Sequence, residues 1–334
     1  MRPFLAILAV LLAGVPAQAD LLVTDSVDND VLRYDSNTGA FLGYFVTPNS
    51  GGLLHPTGLT YGPDGNLYVS SPLTGSILRY NGQTGAFMNA FVTSGSGGLN
   101  YPTGLTFGRN GDLYVADLGL NDVLRYDGKT GAFLGAFIPP ESPGVAAPLG
   151  IAFSPSGNLY LANEFGNSVL EYNGTTGAPL GALDPPPDGF GEPFGVAFGP
   201  DGNLYVSDFT NSSGEVFQYD ATTGAFLGTF VPRPSGALEY NARGIIFGPD
   251  GNLYVVALGA DGGEVLRYNG TSGDFIDTFV PGFSGGLNVP YFAEFTPNPV
   301  PEPSGAALIM VVAGAIILAL GRGGSRLLAR RDPS

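Results

Sequence analysis

The chain of 334 residues contains no cysteine, no tryptophan and a single histidine, His55. Without cysteine there is no disulfide, no thiolate metal centre and no cysteine nucleophile. With one histidine, an imidazole-based metal cluster or a Ser-His-Asp triad has only His55 to use. Charge is scarce as well: charged residues make up 13% of the chain, 13 basic against 29 acidic. Five basic residues (Arg2, Arg322, Arg326, Arg330 and Arg331) and one acidic residue (Asp332) lie at the extreme ends. Taking five from 13 and one from 29 leaves 8 basic and 28 acidic residues between them, a net charge of −20. Such a surface repels a phosphate backbone, so nucleic acid is not an expected partner. The body also lacks any sustained helical period, which argues against a bundle.

Glycine (53) and proline (28) are abundant but recur at fixed places, so they mark turns and not disorder. The string "VLRYDGKTGAFLGAF" begins at Val123, and close variants begin at Val31, Ile77, Val169, Val216 and Val265. The intervals are 46, 46, 46, 47 and 49 residues, the kind of period that repeat architectures carry. One unit, "TGLTFGRNGDLYVADLGLNDVLRYDGKTGAFLGAF", holds four short β-like runs: "GLTF", "DLYVA", "VLRYD" and "AFLGAF". Turns such as "GPDGN" join the first two runs and "DGKTG" the last two. Their Asp-Gly and Asn-Gly steps predict tight hairpins with residues at φ > 0. Four antiparallel strands every 40–50 residues or about that predict a β-propeller blade.

The blade count follows from two incomplete units. "LLVTD" (residues 21–25) is a second strand with no first strand before it, and "YFAEFTPNP" (291–299) is a first strand with no second after it. Together they complete one blade. The expected fold is therefore all-β: a six-bladed propeller of four-stranded antiparallel blades over residues 20–299, its first blade closed by the C-terminal strand. Closure hides sheet edges that an open array would expose, and each blade buries its faces against its neighbours. The unit "GPDGNLYVSD…VFQYDATTGAFLGTF" resembles NHL-repeat propellers, and less closely the gluconolactonase-like and streptogramin-lyase-like six-bladed propellers. That resemblance implies the fold; such scaffolds host enzymes, binding modules and assembly domains alike.

The two ends read as addresses. "MRPFLAILAVLLAGVPAQAD" has a charged start at Arg2, an apolar run and the small-residue site Ala17-Gln18-Ala19, so residues 1–19 are expected to be a signal helix cleaved after Ala19. Residues 305–321 are 17 uncharged residues. At about 1.5 Å per residue they give a helix roughly 25 Å long, close to the shortest membrane span. Arg322, Arg326, Arg330 and Arg331 follow, placing that end in the cytoplasm. Pro301-Glu302-Pro303, an apolar helix and an Arg-rich end together resemble the PEP-CTERM sorting signal of Gram-negative bacteria, over residues 300–334. The resemblance implies an exosortase-type partner that processes the tail. It also implies export: first anchored in the inner membrane with the propeller in the periplasm, then at the cell surface or in the extracellular matrix. An ordinary C-terminal membrane anchor is the alternative.

Comparing the repeats with one another separates scaffold from variation. The first-to-second and third-to-fourth turns are nearly constant. The blade-to-blade links and the second-to-third loops vary, and in an up-and-down blade both emerge on one face. Variable loops on a rigid scaffold are where recognition is usually written. At the channel mouth the position before the first-strand Gly carries Thr57, Thr103, Leu149, Phe194, Arg243 and Tyr291. The last link position carries His55, Tyr101, Ala147, Glu192 and Val289, with Tyr240 at the matching place. The breaks in sixfold symmetry, His55, Tyr101, Glu192, Tyr240, Arg243 and Tyr291, are the candidate binding face. No catalytic residue and no metal ligand set is expected. The recurrence of Asp25, Asp117 and Asp208 at second-strand ends reads as turn or inter-blade hydrogen bonding and leaves calcium open as the one cofactor.

The residues thus point to a non-enzymatic exported propeller that binds a protein or polysaccharide through its variable-loop face. The competing reading is a metal-dependent lactonase- or lyase-like propeller enzyme.

Overall fold

The computed structural model describes residues 19–297, apart from 211–212, 234, 236–237, 239–240 and 260–261. Tyr240, Ala17, the Pro301-Glu302-Pro303 motif and both expected terminal helices lie outside the described residues. Among the described residues no helix is long and apolar enough to cross a membrane.

These residues build 24 strands in six four-stranded antiparallel sheets. In blade III the strands run Pro102–Phe107, Leu113–Asp117, Asp122–Tyr126 and Phe133–Ile138, in sheet order from the axis outward. Blades II, IV, V and VI repeat this order from inner strands Leu59–Tyr61, Pro148–Phe153, Pro193–Phe198 and Asn241–Phe247. Blade I is composite: Pro290–Phe295 pairs with Asp20–Asp25, which pairs in turn with Asp30–Asp35 and then Phe41–Val46. The register sets Leu21 opposite Phe295 and Val23 opposite Ala293. Beyond the strands, Asp20 N–H donates to Thr296 Oγ1 (2.8 Å) and Thr296 N–H to the Asp20 carbonyl (2.9 Å).

The alternation of the second strand explains how blades adhere. Tyr68 is fully buried, its ring 4.8 Å from Phe91 of its own blade and 5.0 Å from Phe107 of the next. Tyr114 repeats this with Phe137 and Phe153, and Tyr205 with Phe230 and Phe247. Edge-to-face aromatic pairs at this spacing add roughly 0.5–1.5 kcal/mol each beyond area burial. Third-strand tyrosines act as ties: Tyr34, Tyr80 and Tyr126 donate to the carbonyls of Ser284, Ser50 and Ser96 in the links entering their blades, each at 2.8 Å.

The turns are tight hairpins with a residue at φ > 0, as expected, but in "DGKTG" the Asp-Gly step is not where φ turns positive. That turn is an Asx turn: Asp127 Oδ1 accepts from Lys129 N–H (3.1 Å), Thr130 N–H (2.8 Å) and Thr130 Oγ1 (2.8 Å). Positive φ falls on the closing glycine, Gly131 (φ 73°), not on Gly128. A Cβ on Gly131 would also strike the Phe91 carbonyl of the neighbouring blade, whereas one on Gly65 (φ 74°) would meet nothing within 4 Å. Gly65→Ala is therefore expected to cost only the backbone strain of about 1–2 kcal/mol. Gly131→Ala should add roughly 1–3 kcal/mol of overpacking to that strain. Chemical denaturation of both variants measures the difference, and equal losses would refute close blade approach as the reason for this glycine.

Candidate ligand-binding site

The inner strands begin on the variable-loop face, and there they surround a cavity of about 180 Å³. Its wall takes His55, Thr57, Tyr101 and Glu192 from the links, and Thr103, Leu149, Phe194, Asn241, Arg243, Tyr291 and Phe292 from the inner strands. Leu118, Glu164 and Phe209, at or just beyond second-strand ends, complete it. Five of the six symmetry-breaking candidates thus converge on one cavity. Each is placed by a local device. His55 sits at φ 57° with its N–H donated to Asn29 Oδ1 (2.7 Å), and Ala147 at φ 55° is held identically by Asn121. Tyr101 is fixed because its N–H and that of Asn100 donate to the carboxylate of Asp117 (2.7 and 2.8 Å).

Arg243 dominates the electrostatics. It is the one buried basic residue among the described residues, 8% exposed. Its guanidinium lies 4.3 Å from the Tyr291 ring centroid and 6.0 Å from that of Phe194, and Nη1 donates to the Pro290 carbonyl (2.7 Å). Among the described residues no carboxylate forms an ion pair with it, whereas Arg33, Arg79, Arg125, Arg233 and Arg267 each have one. Nε of Arg243, Nδ1 of His55 and Oδ1 of Asn241 are buried without a partner. Burial, with the Arg243 charge, lowers the His55 pKa and favours the neutral imidazole. Burial, then the neighbouring Glu192, raises the Glu164 pKa, against the pull of Arg243. His55 also approaches Tyr291 (5.5 Å) and Tyr101 (6.3 Å), so aromatic faces line the cavity beside the charges.

Sequence comparison missed Glu164, Leu118, Phe209, Asn241 and Phe292. Leu118, Glu164 and Phe209 each follow Asp117, Asn163 and Asp208, at or near second-strand ends, a column in which the signal lay. Phe292 stands where five blades carry Gly58, Gly104, Gly150, Gly195 and Gly244. At each of those five, a Cβ would crowd the backbone of the next inner strand. Phe292 lines both the mouth cavity and the axial channel beneath it, a space of about 170 Å³ walled by all six inner strands.

The strand-ending acidic residues hold the links. Asp25 accepts from the N–H groups of Asn288 and Val289, Asp117 from Asn100 and Tyr101, and Asp208 from Gly191. Among the described residues no three His, Cys, Asp or Glu side chains gather in an arrangement that could hold a metal. Opposite Asp25 and Asp117 across the hairpin sit Asp30 and Asp122, buried, each with Oδ1 unpartnered. Burial and then the facing Asp25 and Asp28 push Asp30 up to about 7. Burial and then Asp117 do the same to Asp122.

No protein-family profile and no curated protein matches the chain. Solved structures do. A nidogen/laminin complex is 18% identical with a TM-score of 0.63, covering 83% of this chain and 98% of that one. A protein of unknown function from Bacteroides caccae is 14% identical with a TM-score of 0.64, covering 84% and 100%. A catalytically inactive virginiamycin B lyase from Staphylococcus aureus, with quinupristin, is 15% identical with a TM-score of 0.58, covering 85% and 94%. The chain is a six-bladed β-propeller. At these identities the propeller shares architecture with its neighbours.

Proposed function

We propose that this propeller is an exported, non-enzymatic binding protein whose variable-loop face engages a ligand at the cell surface or in the extracellular matrix. The observation that carries the reading is the division of the ring. Constant turns serve packing, while the residues that break sixfold symmetry converge on one cavity lined by Arg243, Glu164, Glu192 and aromatic rings. His55, the one imidazole, lies beside aromatic rings, and among the described residues no carboxylate orients it, which favours recognition over acid–base chemistry. The likeness of the repeat to NHL propellers supports a scaffold role. Export rests on the sequence of residues 1–19 and 300–334, with an exosortase-type enzyme processing the latter, so the membrane helix 305–321 is a transient anchor.

The test uses chain recovered from the surface fraction of its host. Intact mass should give a form beginning at Asp20 and lacking residues 305–334. That form should bind isolated extracellular-matrix material. The double variant Tyr101→Ala/Glu192→Gln should bind at least about tenfold more weakly, a loss of roughly 1.4 kcal/mol, with an unchanged melting temperature. Equal binding by variant and wild type would sink the binding-face reading, and a retained tail would sink the sorting reading.

A further inference from the structure

The place of Arg243 in the ring separates what its structural role needs from what it adds. The equivalent residue of blade II, Thr57, donates through Oγ1 to the carbonyl of Pro102 in the next blade (3.4 Å), and Thr103 of blade III donates to Pro148 (2.8 Å). Arg243 makes the same contact, to Pro290 at 2.7 Å. A threonine therefore suffices for the inter-blade tie. The positive charge and the remaining N–H donors exceed it, and they sit buried with no ion-paired carboxylate among the described residues. A guanidinium has five donors in a planar fork suited to a carboxylate, and a buried charge is costly without a hydrogen-bonded counter-charge, whereas Glu164 attracts Arg243 without forming an ion pair with it.

The rest of the wall narrows the ligand. Glu164 and Glu192 on the same cavity offer acceptors and no donors, so they suit hydroxyl groups. A capped acidic side chain would bring a carboxylate for Arg243 but no ring hydroxyls for them to accept from. The rings of Tyr101, Tyr291 and His55 supply flat apolar faces, against which sugar C–H groups pack. A cavity of about 180 Å³ is slightly larger than the roughly 150 Å³ that admits a benzene ring, the scale of one pyranose ring. The body's net charge of −20 repels a polyanionic chain at long range, so one acidic sugar at a chain end fits better than a run of them.

We infer that the mouth cavity receives a single hexuronate residue, its carboxylate anchored by Arg243 and its hydroxyls accepted by Glu164 and Glu192. This rests on the binding-face reading and names its ligand. The test is calorimetry on the mature chain with three probes: methyl galacturonide, methyl galactoside and a glutamate capped at both ends. The galacturonide should bind at least about tenfold more tightly than the galactoside, the discrimination expected of a charge-assisted pair worth roughly 1.5 kcal/mol or more. Arg243→Thr restores the residue that blades II and III carry, so the variant keeps a tie to Pro290. It should melt as wild type does and lose that tenfold preference. Equal binding of the two sugars, or a preference that survives Arg243→Thr, overturns the inference. So does tighter binding of the capped glutamate, which would assign the site to an acidic peptide. If no probe binds while matrix material is still captured in a Tyr101- and Glu192-dependent way, the uronate fails and the binding face stands. If that dependence is also missing, both fail.

Discussion

Deletion of residues 291–297 is expected to abolish the cooperative unfolding transition of the ring. The deleted segment supplies the inner strand of blade I. With it go the register against Asp20–Asp25, the exchange of hydrogen bonds between Asp20 and Thr296, and the Phe295 ring that lies 5.1 Å from Tyr254 of blade VI. Leu21, Leu22 and Val23, now fully buried, would lose part of their cover. Each large apolar side chain returned to water costs roughly 1.5–3 kcal/mol, and several of them together rival the 5–15 kcal/mol or so of total stability typical of a domain. The loss also exposes strand edges on both sides of the gap, an invitation to aggregate. Thermal unfolding followed by circular dichroism, with limited proteolysis as a second probe, measures the effect. A deletion variant melting within a few degrees of wild type would falsify closure through this strand.

The second large effect is on pH. Asp30 and Asp122 have folded-state pKa values raised from 3.8 to about 7, and Glu294, on the channel wall, is raised by burial to about 8. A carboxyl whose pKa is raised by folding favours the native state while it is neutral. That stabilisation is whole below about pH 4 and is lost as pH climbs through the folded value. Three pH units at 1.36 kcal/mol each set a ceiling near 4 kcal/mol per aspartate. The Asx-turn carboxylates run the other way: hydrogen bonds to Thr130 and Lys129 lower Asp127, and those to Thr223 and Thr222 lower Asp220, so acid removes their contribution. Stability is thus expected to peak near pH 4 and to decline between about pH 4 and 8. The double variant Asp30→Asn/Asp122→Asn should flatten that decline, gaining stability at pH 8 and little at pH 4.5. Urea titrations at the two pH values decide it, and a variant no more stable than wild type at pH 8 would contradict the buried-acid account.

The fold was legible because the repeat printed it several times over. Val, Tyr, Phe and Leu at strand positions, and Asp and Gly at turns, recur with the same spacing, and each recurrence is an independent reading of one blade. Closure was legible because residues 21–25 and 291–295 are each half of something. What the sequence could not convey was contact between columns. Gly131 and Gly65 look alike in the text, yet only one faces a neighbouring carbonyl. Asp30 and Asp25 are five positions apart, and their facing across a buried hairpin depends on register. The mouth was half visible: departures such as Arg243 and His55 stand out in a column, while Glu164 and Phe209 reach the same cavity from loops that already differ in every blade. Asn241 lies outside the columns compared. Phe292 had a signal, a lost glycine, that only the tight approach of inner strands makes meaningful.

That phenylalanine has a consequence for valency. Six alike blades could have offered six equivalent sites around the rim, and a ligand could have bridged several at once. Phe292 instead marks a single direction at the axis, next to Phe194 at 5.5 Å, and it adjoins both the mouth and the channel below. On the binding-face proposal, the described residues of one chain present one seat. Firm attachment to a polymer would have to come from many copies side by side, through effective concentration, and not from the number of blades in each.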